Sequence, residues 1–250
     1  MKARVRVARA TGAANVGEME EITLAEQVYR HLRKDIITGD IEAGFPLRLE
    51  FLKERYGISF SPLREALNRL QTERLVVSTT SRGFRVAPFS ESEMWDAIDA
   101  RILIDCEALR RSLLQGDDEW EARMVGAFHS LMLATGRGAD SLEPAEEQLE
   151  ERHLSFHQSL IAACGSRWLL DLSEQLYAQT ERYRRPNLRD RLRWNVGRDV
   201  GEEHRLLLDA ATARDADRAT KLLADHYRET GRMVAQVRKR LELSPEAVSS

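Results

Sequence analysis

Four of the six histidines, His153, His157, His204 and His226, stand where their side chains can do chemistry together. Each belongs to an apolar series with helical spacing. Leu149, His153, Phe156, His157, Leu160 and Cys164 make one stripe; Val200, His204, Leu207, Leu208 and Ala211 a second; Ala219, Leu223, His226, Thr230, Val234 and Val237 a third. All four imidazoles therefore point into a helical interior. An i, i+4 pair chelates one ion, and histidines from neighbouring helices complete such a site within a bundle. A lone histidine on an apolar stripe is more often a core residue with a backbone partner, but four on three converging stripes favour a divalent metal site. A metal-dependent enzyme is the competing reading, because an open metal position activates water. The segment His153-Leu154-Ser155-Phe156-His157 has zinc-protease spacing, yet Leu154 stands where the general-base Glu would be. The chain also lacks a glycine-rich phosphate loop, a nucleophile elbow and a dinucleotide fingerprint. No catalytic residue is assigned, and a metal-only sensor is the other alternative.

Arg101 and Asp105 are the second candidate pair. They share one helical face with Met94, Ile98, Ile102, Leu109 and Ser112, which puts a charged i, i+4 pair on an inward stripe. A self-satisfied buried ion pair accounts for this; the sharper reading is that Arg101 forks onto the carboxylate of a small effector, which its planar guanidinium suits.

These residues need helices to hold them. At 250 residues, 42% hydrophobic and 32% charged, with 14 Gly and 6 Pro, the chain has the composition of a soluble, mostly helical globular protein. No apolar run approaches the ~20 residues of a membrane span, and the start has no signal-peptide pattern, so a cytoplasmic location is expected. Cys106 and Cys164 read as small buried hydrophobes. Charge is uneven: residues 1–88 hold 15 Lys and Arg against 11 Asp and Glu, and the remainder 23 against 30, so the basic part is N-terminal.

Residues 1–21 read as a flexible arm. Thr23 and Glu26 form a capping box opening the series Leu24, Val28, Leu32, Ile36, which stops near Gly39. A short helix over 49–56 is closed by Gly57, and a third is expected with Ser61 as N-cap and Pro62 at its first position. Residues 75–78 and 84–86 read as a hairpin joined through Thr79 to Gly83. Pro88 and the capping box Ser90 to Glu93 mark a boundary. Beyond it six helices are expected at about 91–115, 118–135, 142–163, 166–183, 188–213 and 215–241, then a frayed tail over 244–250. The fold class is thus mostly α: an N-terminal winged helix-turn-helix over 22–88 and a C-terminal all-helical bundle over 89–243. The third helix would enter the major groove with Ser61, Arg64, Glu65, Asn68 and Gln71 outward.

The stretch Ser59-Phe60-Ser61-Pro62-Leu63-Arg64-Glu65-Ala66-Leu67-Asn68-Arg69-Leu70, with Arg82-Gly83 in the wing, resembles the DNA-binding domain of GntR-family regulators. The likeness extends to the FadR subgroup and its C-terminal FCD domain, whose motifs resemble Arg101 to Asp105, His153 to His157, Glu203-His204 and His226 here. The resemblance implies a homodimeric, metabolite-responsive repressor acting on a two-fold operator in double-stranded DNA. It implies that Ser59, Phe60, Ser61, Arg64, Asn68, Arg82 and Gly83 meet that DNA, that His153, His157, His204 and His226 hold a divalent metal, and that a small organic acid binds beside the metal at Arg101. Three positions depart from the family pattern. Phe60 replaces the usual basic reader and offers a thymine-methyl contact or packing. Arg74 replaces a usual Gly, so a positive φ there would carry a strain. His153 replaces an Asp ligand, trading hard oxygen for imidazole and favouring zinc or nickel.

Overall fold

The computed structural model describes residues 22–79, 83–136, 142–186 and 198–243. The arm, the tail, Arg82 and most of the segment before the fifth C-terminal helix lie outside the described residues. The chain divides into two compact units at Ser90 and Glu91, and Glu181–Pro186 group with the first.

The first unit runs α1 (Leu24–Thr38), β1 (Pro46–Leu47), α2 (Leu49–Tyr56), α3 (Phe60–Thr72), β2 (Val76–Thr79) and β3 (Gly83–Val86). Thr23 Oγ1 accepts from the Glu26 N–H at 3.1 Å, while the Glu26 carboxylate pairs with Arg30 and Arg69. Gly39 and Gly57 end α1 and α2 at φ 83° and 71°, a conformation that costs glycine little. The core joins Val28, Leu32 and Ile36 of α1 to Leu52, Leu63, Leu67 and Leu70, with Leu75 and Val86 beneath the wing. Leu24, expected to open the buried series, is 53% exposed.

Two details differ from expectation. The start of α3 is earlier: Ser59 is its N-cap and Phe60 its first residue, so Ser61 is not the cap. Proline is tolerated throughout a first turn whose N–H groups have no helical acceptor, so Pro62 cannot by itself mark the first position. The wing has a third strand. β1 pairs antiparallel with β3 at Pro46↔Arg85 and Leu47↔Phe84, giving the order β1-β3-β2. Arg74, in the turn after α3, does adopt a positive φ of 56°.

The second unit contains α4 (Glu91–Gln115), α5 (Asp118–Gly136), α6 (Leu142–Ile161), α7 (Arg167–Arg184, in this unit as far as Thr180), α8 (Val200–Thr212) and α9 (Ala216–Leu243). Helix α8 begins well inside the expected 188–213 span: Asp199 is its N-cap, accepting from the Glu202 N–H at 2.9 Å, and Arg198 precedes it. The core is built on Met94, Leu109, Trp120, Met124, Phe156, Leu160, Leu223, Val234 and Val237. Helices α4 and α9 approach closely because Gly231 has no side chain; a Cβ there would lie 2.7 Å from Ile98 Cδ1 and from the Trp95 ring. Burial, then the Asp105 charge, pushes the Cys106 thiol up to about 11, so it stays protonated at neutral pH. Among the described residues no helix is long and apolar enough to cross a membrane.

Candidate functional site

Helix α6 presents His153 and His157 one turn apart; α8 adds His204 and α9 adds His226. One ligating nitrogen from each of the four lies within 4.8 Å of all the others, and the ring centroids are 4.5 to 6.3 Å apart. His157, His204 and His226 are buried and His153 is half-buried. The result is a largely buried four-imidazole cluster able to coordinate a metal ion. Ligands at ~2.0–2.1 Å around a tetrahedral ion stand roughly 3.4 Å apart. The Nε2 atoms of His153 and His157, 3.1 Å apart, already match that edge.

Two polar chains fix the ring orientations. In the first, His226 Nδ1 lies 2.8 Å from Glu203 Oε2, and a carboxylate can only accept, so Nδ1 carries the proton and Nε2 is left as the nitrogen able to ligate. Glu203 is clamped by Arg198 at 2.6 Å through Nε and 2.5 Å through Nη2. Arg198 also donates to Thr230 Oγ1 and the His226 carbonyl, both at 2.9 Å. This is the carboxylate–histidine pairing that orients metal-ligating imidazoles. Burial holds His226 down to about 4 against the opposing Glu203 hydrogen bond, with the Arg198 charge assisting. The ring is therefore neutral, as a ligand must be.

The second chain starts at Arg101. Its Nε donates to Asp105 Oδ2 at 3.1 Å and its Nη1 to Thr180 Oγ1 at 2.9 Å. The guanidinium lies 4.0 Å from the Tyr227 ring centroid and 4.8 Å from that of Tyr177. Tyr227 Oη lies 2.7 Å from Asp105 Oδ2 and 3.4 Å from His157 Nδ1. Asp105 is 2% exposed, and its Oδ1 has no hydrogen-bond partner among the described residues. The expected i, i+4 pair is thus present, and through Tyr227 it reaches the histidine cluster.

In the first unit, Ser59, Phe60, Ser61, Arg64 and Asn68 lie on the exposed side of α3. Lys53 Nζ sits 5.2 Å from the Phe60 ring centroid, placing a cation beside the aromatic group. Gln71 leans on the wing, with Nε2 3.4 Å from Ser78 Oγ. Gly83 opens β3 at φ 83°.

Residues 24–86 match the gntR family of bacterial regulatory proteins, and residues 96–229 match the FCD domain. The chain belongs to the GntR family. This GntR-family chain is 42% identical over 214 residues to the uncharacterized HTH-type transcriptional regulator BphR of Paraburkholderia xenovorans, covering 86% of each. It is 37% identical over 199 residues to the HTH-type transcriptional repressor GlaR of Escherichia coli, covering 79% of this chain and 90% of that one. A solved GntR-family regulator from Pseudomonas syringae superposes with a TM-score of 0.52 at 27% identity, over 90% of this chain and 89% of that one. The GntR-family chain is a DNA-binding transcriptional regulator. Within it, the residues that sequence reasoning missed are Arg198, Tyr177, Thr180 and Tyr227. Tyr227 adjoins His226 and carries a faint signal as an aromatic on the inward side of α9; Tyr177 and Thr180 act across contacts of 24 and 79 residues in the chain, and Arg198, five residues from Glu203, also reaches Thr230, 32 residues away.

Proposed function

We propose that the chain is a metabolite-responsive repressor that acts as a homodimer on a two-fold operator in the cytoplasm. Its DNA-binding domain spans 22–88 and its sensor domain 89–243. Arg64 and Asn68 of α3, flanked by Ser59, Phe60 and Ser61, read the major groove, and Arg82 and Gly83 bring the wing to the backbone. In the sensor, His153, His157, His204 and His226 hold zinc or nickel, which four imidazole nitrogens suit better than they suit magnesium. A bound ion would supply positive charge for an anionic effector. Arg101 anchors the carboxylate of a small organic acid: two of its five N–H donors go to Asp105 and Thr180, which leaves donor capacity for a forked contact. Release of the operator on effector binding is the sign of regulation, in keeping with the name of the Escherichia coli relative as a repressor.

The observation that carries this reading is the continuous path from Arg101 through Asp105 and Tyr227 to His157, which joins an anion anchor to a metal-competent cluster. A thermal-shift screen of small organic acids, with and without zinc or nickel, beside a DNA-binding titration tests it. An acid that stabilises only the metal-loaded protein and weakens operator binding is expected. Metal dependence with no acid response would instead make the protein a metal-only sensor.

A further inference from the structure

Helix α4 carries a second pattern on the side opposite Arg101 and Asp105. Leu103 and Leu114 are 74% and 80% exposed. They stand eleven residues, ~16.5 Å, apart on one side of the helix, with Glu107 and Arg110 between them on the same stripe. Isolated exposed leucines are ordinary on a protein surface. Here the order along the stripe is Leu, acid, base, Leu, which is complementary to itself when reversed.

We infer that this face of α4 is where two copies of the chain meet, α4 against α4 in antiparallel about a two-fold axis passing between residues 108 and 109. That axis sets Leu103 opposite Leu114 of the second copy and Glu107 opposite its Arg110, and repeats both contacts by symmetry. A parallel pairing would stack Glu107 on Glu107 and Arg110 on Arg110, so charge selects the antiparallel arrangement. The charges enter already partnered: Arg110 meets Asp217 at 3.0 Å and Arg111 meets Glu107 at 2.7 Å. The contact thus extends existing networks without burying a lone ion. Helix α9 flanks the stripe with Asp217 and Lys221 and supplies a polar rim around the apolar centre. The inference rests on the proposed homodimer and names its surface. It also gives α4 two jobs, since the helix that holds Arg101 on one side meets the second subunit on the other.

The test combines a charged substitution with cysteine cross-linking in the full-length protein. Leu103→Asp alters an exposed side chain, so folding is expected to persist, while the dimer dissociation constant rises more than about a hundredfold through loss of two symmetric leucine contacts. Under mild oxidation the double variant Leu103→Cys/Leu114→Cys is expected to form covalent dimers. Leu103→Cys alone and Leu114→Cys alone are expected to stay at the wild-type background set by Cys106 and Cys164. Cross-linking of Leu103→Cys alone would overturn the antiparallel register. A wild-type dimer that neither cross-links in the double variant nor responds to Leu103→Asp would place the interface elsewhere and leave the homodimer intact. A wild-type monomer at concentrations that saturate operator DNA would overturn the homodimer itself, and this surface with it.

Discussion

The Tyr227 hydroxyl donates its one proton to Asp105 Oδ2 across 2.7 Å. Toward His157 Nδ1, 3.4 Å away, it can then only accept, so Nδ1 carries the hydrogen and Nε2 is left bare toward the other imidazoles. Tyr227→Phe keeps the ring over Arg101 and removes the hydroxyl's contacts to both Asp105 and His157. Metal affinity, measured by competition with a chelating dye, should fall ~10 to 100-fold with the fold retained, the usual cost of losing an outer partner of a ligand. Unchanged affinity would show that Tyr227 does not orient His157.

Acid should destabilise the metal-free protein in two steps. Burial first, aided by the Arg198 and Arg101 charges, holds His226 at about 4, below its ordinary 6.5. As pH falls through that window the unfolded chain takes up a proton that the folded chain refuses, and stability is lost. Burial would raise Glu203, but hydrogen bonds and charge from His226 and Arg198 outweigh it and hold the group at about 2, below the ordinary 4.5. Its contribution is present above pH 4.5 and is lost as pH falls toward 2. Melting temperature measured from pH 7 to 4 should therefore decline, and His226→Asn should flatten the decline; a rising curve would contradict the assignment.

Arg74 and Arg214 both adopt left-handed backbone, at φ 56° and 55°, but their side chains differ. Arg74 is exposed and gains nothing that offsets the strain, so Arg74→Gly should stabilise by about 0.5 to 1 kcal/mol. Arg214 donates to the Leu113 carbonyl and to Glu121 and lies 4.7 Å from the Trp120 ring centroid. Arg214→Gly relieves the backbone but loses these contacts, so it should bring no comparable gain. Denaturant melts of the two variants check the contrast.

Arg64 is the long basic group on the exposed side of α3. Arg64→Ala should weaken operator binding by ~1 to 3 kcal/mol and relax base preference, as removal of a base contact does. Equal affinity and equal discrimination in a fluorescence anisotropy titration would remove Arg64 from the reading set.

Much of this arrangement is legible in the residues because local rules agree. The Thr23 cap, Gly39 and the spacing of Val28, Leu32 and Ile36 bound α1 without help from the rest of the chain. The histidine cluster is legible for the same reason, since each imidazole lies on its own helix's apolar stripe. β1 is not: two residues, Pro46 and Leu47, carry no periodicity and become a strand only through β3. The start of α3 is not legible either, because Pro62 fits several first-turn positions equally well. Thr180 and Tyr177 are invisible to any local pattern, because their roles exist only once distant helices pack; Arg198 lies five residues from Glu203, but its contacts to His226 and Thr230 arise in the same way.

Coupling between the sensor site and the operator is measurable through linkage. An acid found to weaken operator binding must itself bind less tightly when operator is present, by the same factor, typically ~5 to 150-fold. Calorimetry of that acid against metal-loaded protein, with and without operator DNA, is the direct measurement. Equal factors in both directions are expected for the wild type, and loss of acid binding in Arg101→Ala. Acid affinity that is unchanged by operator DNA would contradict the coupling.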